Sequence, residues 1–270
     1  MKTIRIVALA AAVLTLLACV ESPTGRRQMM LFSNGEMSQM GVAAFDEMKQ
    51  KMTVNRDGKV NGYVTCVADA ITARLPAQWR GSWEVVVFEE KSANAFALPG
   101  KKIGVHTGIF SVAKNADQLA TVLGHEVAHV LAHHSAERMS LQSVTGTGAQ
   151  LLAVLLGDSP QKATVMGMLG LGAQYGLVLP YGRAQESEAD VLGVDLMARA
   201  GFNPAASIDL WKNMSAAGNG QPPEFMSTHP SHQTRINDLQ RQQKKAANFD
   251  KTNERTNERT DGRMNEHMSK

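Results

Sequence analysis

The sequence predicts an α+β fold that is mostly helical, with a small β-sheet beside a helix that carries several histidines. Three observations support this class. Apolar residues recur at helical spacing along much of the chain, one β-branched run and one Pro-Gly turn indicate short strands, and the composition suits a globular core. Hydrophobic residues make up 43% and charged residues 20%, as in ordinary globular domains. The net charge of +3 falls to about +1 without residues 1–18, a balance that argues against a nucleic-acid partner.

The N-terminal segment has a basic start and then an apolar run, Ile6 to Ala18, that is shorter than a membrane span. It ends in Leu16-Leu17-Ala18-Cys19, which resembles the lipobox at which bacterial lipoproteins are cleaved and acylated on the cysteine. We therefore predict a lipoprotein signal peptide over residues 1–18 and a lipid on Cys19, with a simple secretory signal as the alternative. Val20 stands where an aspartate tends to retain lipoproteins at the inner membrane, so the resemblance implies the periplasmic face of the outer membrane.

The elements that precede the histidine-rich helix are predicted from caps, breakers and hydrophobic spacing. Residues 19–32 are predicted to be a tether, and Ser33-Asn34-Gly35-Glu36 has the spacing of a capping box that opens a helix to about Met52. The further elements are a helix over 61–75, a strand over 83–88 and a hairpin over 94–109 with a Pro-Gly turn. Cys66 lies in the second helix and is predicted to be a buried, inert thiol.

The histidine-rich helix is predicted to begin at Asn115, whose side chain can cap it, with Gln118 at the reciprocal position. Its apolar residues recur at helical spacing and form one face: Leu119, Val122, Leu123, Val127, Val130 and Leu131. His125 and His129 lie together at the border of that face, one helical turn apart. We therefore expect the helix to pack on one side and to present both imidazoles beside the core.

The stretch His125-Glu126-Val127-Ala128-His129 has the H-E-x-x-H pattern, in which two imidazoles on one side of a helix can bind one zinc ion. Glu126 can then be held near the water at the metal and accept its proton. In metzincins a further stretch after this motif supplies a third histidine, and that stretch is not present here. His133 and His134 stand at neither required offset and are predicted to lie at the helix end, where imidazolium suits the helix dipole.

A carboxylate from a second helix is the other standard third ligand of zinc. The segment from Arg183 to Asp190, RAQESEAD, supplies the candidates, because Glu186 and Asp190 are one helical turn apart. Glu186 could bind the metal while Asp190 holds the other N–H of a ligand imidazole. Glu188 is predicted to point elsewhere. The residues by themselves leave open a second interpretation, in which these acids form the solvated first turn of a helix over 186–200.

Two other segments have distinctive compositions. Residues 141–182 are Gly-rich and apolar. Within them, the segment 163–182 contains no charged residue and is long enough to span a bilayer. Their glycines and Pro180 favour a buried or groove-lining helical segment, with a membrane span as the alternative. Residues 246–270 include the charged repeat TNERTNERTDGR and are predicted to be a disordered tail.

H-E-x-x-H followed by R-x-x-E-x-x-A-D resembles the family of zinc metallopeptidases that contains HtpX, the CAAX prenyl endopeptidase and the mitochondrial OMA-type proteases, which is peptidase family 48 of the metallo class. Further stretches are similar to the same family: Thr24–Gln28, Asn94–Gly100 with Thr107-Gly108, and Thr228–Ile236. The likeness thus covers about residues 24–240. One departure is Lys101, where a second glycine is common, and it leaves the detail of the hairpin turn open.

The resemblance implies a gluzincin-type metallopeptidase domain over residues 33–245, with one zinc ion per chain held by His125, His129 and Glu186. Glu126 is then the catalytic base for hydrolysis of peptide bonds inside polypeptides. The lipid anchor suggests unfolded or misassembled envelope proteins as substrates, and so a role in protein quality control. A zinc-stabilised chaperone or assembly factor for outer-membrane proteins, with vestigial peptidase activity, stays open, as does an integral membrane protease. The sequence predicts neither a cleavage site nor an oligomeric state.

His229 belongs to the T-H-P motif of the resemblance and lies 43 residues beyond Glu186, in a stretch rich in Pro, Ser and Gly. The family likeness implies a position near the active site. Three roles stay open for it: a hydrogen bond to the oxyanion of the transition state, a latch that occupies the open position of zinc, or a hydrogen bond that fixes the loop.

Overall fold

Six α-helices and five short strands occupy the part of the chain that the computed structural model describes, which is residues 19–156, 179–217 and 239. The strands are β1 (Cys19–Glu21), β2 (Arg27–Met29), β3 (Glu84–Phe88), β4 (Ala95–Leu98) and β5 (Lys102–His106). The helices are α1 (Asn34–Lys51), α2 (Gly58–Thr72), α3 (Ala116–Leu131), α4 (His134–Leu156), α5 (Leu179–Arg199) and α6 (Ala206–Ala217). The prediction of a mostly helical α+β fold with a small sheet is confirmed.

Helix α3, which carries the H-E-x-x-H motif, lies at the centre of the core. Every residue from Gln118 to Leu131 is buried, and the helix packs against α2, α5, α6 and β4. As predicted, the side chain of Asn115 caps it by accepting a hydrogen bond from the backbone N–H of Gln118 at 2.9 Å. A helix that is buried all round lies in the interior of a protein. The motif residues are therefore enclosed by other elements rather than standing at the border of one packed face.

Three strands form a sheet in the order β3, β5, β4, with β3 parallel and β4 antiparallel to β5. The predicted hairpin is therefore confirmed as β4–β5. Its turn places Gly100 and Lys101 at φ values of 89° and 62°, a left-handed conformation that glycine adopts more readily than lysine. Within the described part of the chain, β4 is an outer strand of this sheet and packs on α3.

The first helix has its predicted cap, whereas the second has an earlier start and a different exposure of Cys66 than predicted. Both hydrogen bonds of the capping box between Ser33 and Glu36 are present at the start of α1. Helix α2 starts at Gly58, three residues before the predicted start, because Asp57 caps it. The residues of α2 that enter the core are Val64, Val67, Ala68, Ile71 and Thr72. Cys66 is exposed, so the prediction of a buried thiol is wrong; it lies on the opposite side of the helix.

Residues 19–32 are not the tether that the sequence predicts. β1 and β2 pair in an antiparallel arrangement, and this pair with its connecting turn, the N-terminal ribbon, packs on α4. The side chain of Gln28 is buried and donates a hydrogen bond to the carbonyl oxygen of Ala132 at 2.6 Å. Beyond β2, the backbone N–H of Leu31 donates to the hydroxyl of Ser140 at 2.9 Å. The ribbon thus belongs to the same folded unit as the helices.

Several predicted features lie outside the described residues. They are the signal peptide over 1–18, most of the uncharged segment 163–182, the loop with His229, the domain end at 245 and the tail over 246–270. Leu239 is described, and it is buried in the hydrophobic core. Across 19–156 and 179–217, no helix has both the length and the hydrophobicity that crossing a bilayer requires.

Candidate metal centre

The candidate site lies where α3 crosses α5, and two glycines allow these helices to touch. A Cβ atom on Gly124 of α3 would lie 2.8 Å from the carbonyl oxygen of Gly193, and one on Gly193 would lie 2.8 Å from the backbone nitrogen of His125. Side-chain carbons do not approach backbone atoms so closely, so the glycine pair permits a separation of the backbones that other residue types would prevent. Polar side chains near this crossing can therefore reach from one helix to the other.

The two helices run antiparallel through the crossing. The residues of α5 that face α3 are spaced at helical intervals: Glu186, Asp190, Gly193 and Met197. Along α3, the step from Gly124 to His129 is matched on α5 by the reverse step from Gly193 to Glu186. The motif histidines thus meet the acidic half of the α5 face.

Helix α5 begins at Leu179, seven residues before the predicted start. Glu186 and Asp190 therefore lie inside the helix rather than in its first turn, and they are 4% and 7% exposed. Acidic side chains are almost never buried to this extent unless they are paired or bind a metal. The interpretation of this segment as a solvated acidic helix start is wrong.

The structure brings one potential ligand atom each of His125, His129 and Glu186 within 4.8 Å of one another, all buried. The two Nε2 atoms are 3.0 Å apart. Of the two carboxylate oxygens of Glu186, Oε2 lies 3.3 Å from Nε2 of His125 and Oε1 lies 3.4 Å from Nε2 of His129. Tetrahedral zinc with bonds of about 2.05 Å separates neighbouring ligand atoms by about 3.3 Å. The chemistry of these donors suits three corners of such a site, and either oxygen of Glu186 is close to this spacing from one of the two histidines.

His125 is oriented by Asp190, whose Oδ1 lies 3.0 Å from Nδ1 of the imidazole. A proton on Nδ1 that points at the carboxylate leaves the lone pair of Nε2 directed at the other donors. Burial by itself lowers the pKa of His125, but hydrogen bonds and charges from Asp190 and Glu186 outweigh burial and raise the pKa to about 9. The surroundings therefore favour positive charge at this point, which a divalent cation can supply.

His129 is oriented by His134, for which the sequence predicts no contact with a motif histidine. Nδ1 of His129 lies 2.8 Å from Nδ1 of His134, and Nε2 of His134 lies 3.2 Å from Oε2 of Glu188. The prediction that His134 lies at a helix end as an imidazolium is wrong, because His134 is fully buried at the start of α4 and burial lowers its pKa. Glu188, which is 4% exposed, contacts His134 and the N-terminal ribbon rather than the clustered donors. His133 does lie just past the end of α3, at φ 54°, with its ring against Trp79.

The N-terminal ribbon supplies the polar groups behind Glu188. Arg26 donates from Nε to Glu188 at 2.9 Å and from Nη2 to Glu137 at 2.7 Å. The hydroxyl of Thr24 donates to the other oxygen of Glu188 at 2.7 Å. Burial would raise the pKa of Glu188, yet its hydrogen bonds, the first of them with His134, hold that pKa well below the usual range. Glu188 is therefore a fixed anion between the ribbon and the histidines.

The other predicted site residues have simple placements. Glu126 stands between the two histidines on α3 and is 4% exposed. Cys19 is the first residue of β1, and His229 is outside the described residues. Sequence reasoning missed the glycine pair of the helix crossing, although a glycine inside a helical pattern, such as Gly193, is a signal of close packing.

A helix with H-E-x-x-H, crossed by an antiparallel helix that adds a buried carboxylate, is the arrangement of a gluzincin-type metallopeptidase. A family model described as Peptidase family M48 matches residues 55–243. This range includes α3, α5 and all three clustered side chains, and the chain belongs to this family. The family resemblance drawn from the sequence is confirmed.

Relatives of the chain occur in mitochondria and in bacteria. It is 39% identical over 160 residues to the mitochondrial metalloendopeptidase OMA1 of Schizosaccharomyces pombe, covering 58% of this chain and 46% of that protein. The OMA1 metalloendopeptidase of Danio rerio is 34% identical over 241 residues, which cover 82% of this chain and 49% of the relative. The beta-barrel assembly-enhancing protease of Escherichia coli is 27% identical over 214 residues, covering 76% and 43%. The chain spans about half the length of the curated relatives it matches.

Proposed function

We propose that this chain is a zinc metalloendopeptidase that holds one zinc ion through His125, His129 and Glu186. The observation that carries the proposal is that one potential ligand atom from each of these three buried side chains lies within 4.8 Å of the other two. Two neutral imidazoles and one carboxylate are a standard ligand set of catalytic zinc, which keeps a fourth position open for water or substrate. Membership of a peptidase family supports the same chemistry.

The proposed reaction is hydrolysis of a peptide bond within a polypeptide. When bound, the zinc ion supplies a Lewis acid that polarises the scissile carbonyl and eases the ionisation of water. Glu126 accepts the proton of the attacking water and passes it to the leaving nitrogen as the C–N bond breaks. Asp190 keeps the proton of His125 on Nδ1, so that Nε2 remains available as a ligand.

We expect the substrate to bind as an extended strand along β4. Among the described residues, this strand is at the edge of the three-stranded sheet, and it packs against the helix that carries the motif. A peptide added to such an edge is held mainly through its backbone N–H and C=O groups. This mode of binding discriminates weakly among side chains and requires an extended segment. It therefore suits unfolded proteins of varied sequence.

The proposed location is the periplasmic face of the bacterial outer membrane, with the chain anchored by a lipid on Cys19. Because Cys19 begins the N-terminal ribbon, and the ribbon packs on α4, the anchor would lie next to the catalytic unit. The bacterial relatives are named beta-barrel assembly-enhancing proteases. That name supports the inference that envelope proteins which fail to fold or assemble are the substrates.

Digestion of an unfolded protein by the purified chain tests the proposed activity. Cleavage should stop when a zinc chelator is added and resume when zinc is restored. Glu126→Gln should bind zinc as tightly as wild type while hydrolysis falls by several orders of magnitude, because the change removes the base and leaves the metal ligands. Glu47→Gln on α1, where the glutamate side chain is 61% exposed, is a matched control and should change neither.

Two outcomes would redirect the proposal. If Glu126→Gln cleaves as fast as wild type, the mechanism assigned to Glu126 is wrong. If it loses hydrolysis but still supports outer-membrane protein assembly in cells, the function is that of a zinc-stabilised chaperone or assembly factor with vestigial peptidase activity.

The lipid anchor has its own test. Cys19→Ser should release the protein from membranes into the soluble periplasmic fraction, because it removes the predicted acylation site. Fractionation followed by alkaline extraction measures this. A variant that still resists alkaline extraction would instead indicate a membrane span within residues 163–182.

The role of His229 remains a prediction, and His229→Ala separates its alternatives by the sign of the effect. Loss of a donor to the oxyanion lowers turnover by about 10²–10³. Loss of a latch on the open zinc position raises turnover. Unchanged turnover and zinc affinity would leave the loop-fixing role.

A further inference from the structure

A break in the helix brings the rings of His129 and His134 together. On a continuous α-helix, residues five apart point about 140° away from each other. Here α3 ends at Leu131, and His133 adopts a φ of 54° before α4 begins at His134. A left-handed conformation at a residue other than glycine costs free energy, and such strain persists where the surrounding structure enforces it. In this chain the break places the two Nδ1 atoms 2.8 Å apart.

The two hydrogen bonds of the His134 ring run in the same direction: His129 donates to His134, and His134 donates to Glu188. His129 can offer Nε2 to a metal only when its proton is on Nδ1, and that N–H needs an acceptor. His134 is such an acceptor when its own proton is on Nε2, from which it donates to Glu188 at 3.2 Å. The carboxylate of Glu188 accepts and cannot donate, so it favours this tautomer of His134 over the reverse one.

The N-terminal ribbon holds Glu188 in place. Arg26 bonds Glu188 on α5 and Glu137 on α4 at the same time, so one side chain ties the ribbon to both helices. The side chain of Glu137 is fully buried and that of Glu188 is 3% exposed. A bidentate guanidinium between two buried carboxylates fixes geometry as well as charge. A continuous series of contacts therefore leads from the ribbon to His129.

We propose that His134 is the positioning residue of His129, and that the N-terminal ribbon keeps His134 in its acceptor tautomer through Arg26 and Glu188. The inference rests on the proposed function, since His134 acts through a zinc ligand. By this proposal the ribbon, which begins at the predicted lipid attachment site, contributes to metal binding.

Two substitutions of His134 separate positioning from simple packing. His134→Asn keeps an acceptor, because Oδ1 can stand near the position of Nδ1. His134→Leu keeps an apolar volume and removes the acceptor. The measurement is zinc affinity, obtained by titrating the metal-free protein in competition with a chromophoric chelator. We expect His134→Leu to weaken zinc binding by about 10–100-fold and His134→Asn to retain most of it. His133→Asn is the matched control and should bind zinc as wild type does, since asparagine tolerates a positive φ.

The ribbon is tested by a pair of adjacent arginines. Arg26→Gln should weaken zinc binding, by a smaller factor than His134→Leu, because it loosens Glu188 without removing the acceptor. Arg27→Gln is the control, since Arg27 is the next residue of the ribbon and is exposed. Arg26→Gln added to His134→Leu should cause no further loss of zinc affinity, because Arg26 acts on His129 through the His134 ring, which that variant lacks.

Unchanged zinc affinity in a folded His134→Leu variant, or equal losses in His134→Leu and His134→Asn, would overturn the positioning role. Full additivity of Arg26→Gln and His134→Leu would overturn the part played by the ribbon. Thermal unfolding of the metal-free variants identifies those that fail to fold, and in that case the His134→Asn and Arg26→Gln comparisons decide. Failure of the proposed function is distinguishable: wild type would then bind zinc no more tightly than His125→Ala.

Discussion

The two histidines of the motif are held in different ways. His125 faces Asp190 directly across the crossing of α3 and α5. His129 is linked to Glu188, also on α5, through the intervening ring of His134, and Glu188 is bonded in turn by the N-terminal ribbon. One support is a single contact between two helices, whereas the other joins three helices and the ribbon.

This difference indicates how far from the metal site a change can act. The support of His125 depends on one carboxylate and on the close approach of two helices. The support of His129 depends on Arg26 and Glu137 as well, and these lie far apart in sequence. We therefore expect substitution of Arg26 in the ribbon to alter metal binding, and substitutions on the exposed side of α5 to leave it unchanged.

The largest expected effect comes from removing Glu186, the carboxylate that lies near both motif histidines. Glu186→Ala takes away a carboxylate that lies within 3.4 Å of both Nε2 atoms. Since a catalytic zinc site normally has three protein ligands, the purified variant should contain little zinc and should lose hydrolysis. Metal analysis measures the first and digestion of an unfolded protein the second. Asp195→Ala on the same helix, where the aspartate side chain is 48% exposed, should change neither. One zinc per chain in Glu186→Ala would refute its assignment as a ligand.

The next effect should come from forcing α3 and α5 apart. Gly193→Ala would put a methyl group 2.8 Å from the backbone nitrogen of His125, and overpacking of this kind costs about 1–3 kcal/mol. Because Glu186 and Asp190 move with α5, zinc affinity should fall together with the free energy of unfolding. Chelator competition and urea unfolding measure the two quantities.

The same substitution elsewhere on α5 is the control for the crossing. A Cβ at Gly182 meets open space, so Gly182→Ala should leave zinc affinity unchanged. Its higher helix propensity should raise the free energy of unfolding by up to about 1 kcal/mol. If Gly193→Ala binds zinc as wild type does, the glycine contact is not what positions the acidic residues.

Features that depend on short stretches of sequence could be predicted. The capping box of α1, the β4–β5 hairpin and the start of α3 all follow from residues close together in the chain. The pairing of Glu186 with Asp190 on one face also follows from helical spacing. The contact of Asp190 with His125 could therefore be predicted from local sequence patterns. The glycine pair that lets α5 approach α3 was not predicted.

The support of His129 was not accessible in this way. The ribbon has strands of three residues each, and a short polar segment with Pro and Gly looks like a linker. Its order comes from partners far along the chain: Gln28 bonds the carbonyl of Ala132, 104 residues away, and Arg26 bonds Glu137, 111 residues away. The role of His134 depends on a helix break at His133, which no glycine or proline marks.

A third prediction compares Asp190 with His134, since each of them contacts Nδ1 of one motif histidine. Asp190→Ala should weaken zinc binding by about 10–100-fold, the usual loss when the partner of a ligand histidine is removed. Asp190→Asn should lose less, because its amide oxygen can still accept from Nδ1 of His125. The measurement is again chelator competition with the metal-free protein.

The double variant Asp190→Ala with His134→Leu shows whether the supports are separate. The two losses in binding free energy should add, since each residue contacts a different histidine. A combined loss well below the sum would mean that the two histidines depend on one shared arrangement of α5.

The smallest expected effect lies at the outer end of the longer support. Thr24 donates its hydroxyl to Oε1 of Glu188 at 2.7 Å, while Arg26 holds Oε2 at 2.9 Å. Thr24→Ala should lower the free energy of unfolding by about 1 kcal/mol, the net contribution of one hydrogen bond. Zinc affinity should stay close to that of wild type, because Arg26 still orients the carboxylate toward His134. Thr24→Ser keeps the hydroxyl and should match wild type in urea unfolding. If Thr24→Ala weakens zinc binding as much as Arg26→Gln does, the ribbon acts on the metal centre as one unit, and its influence does not diminish with distance from His129.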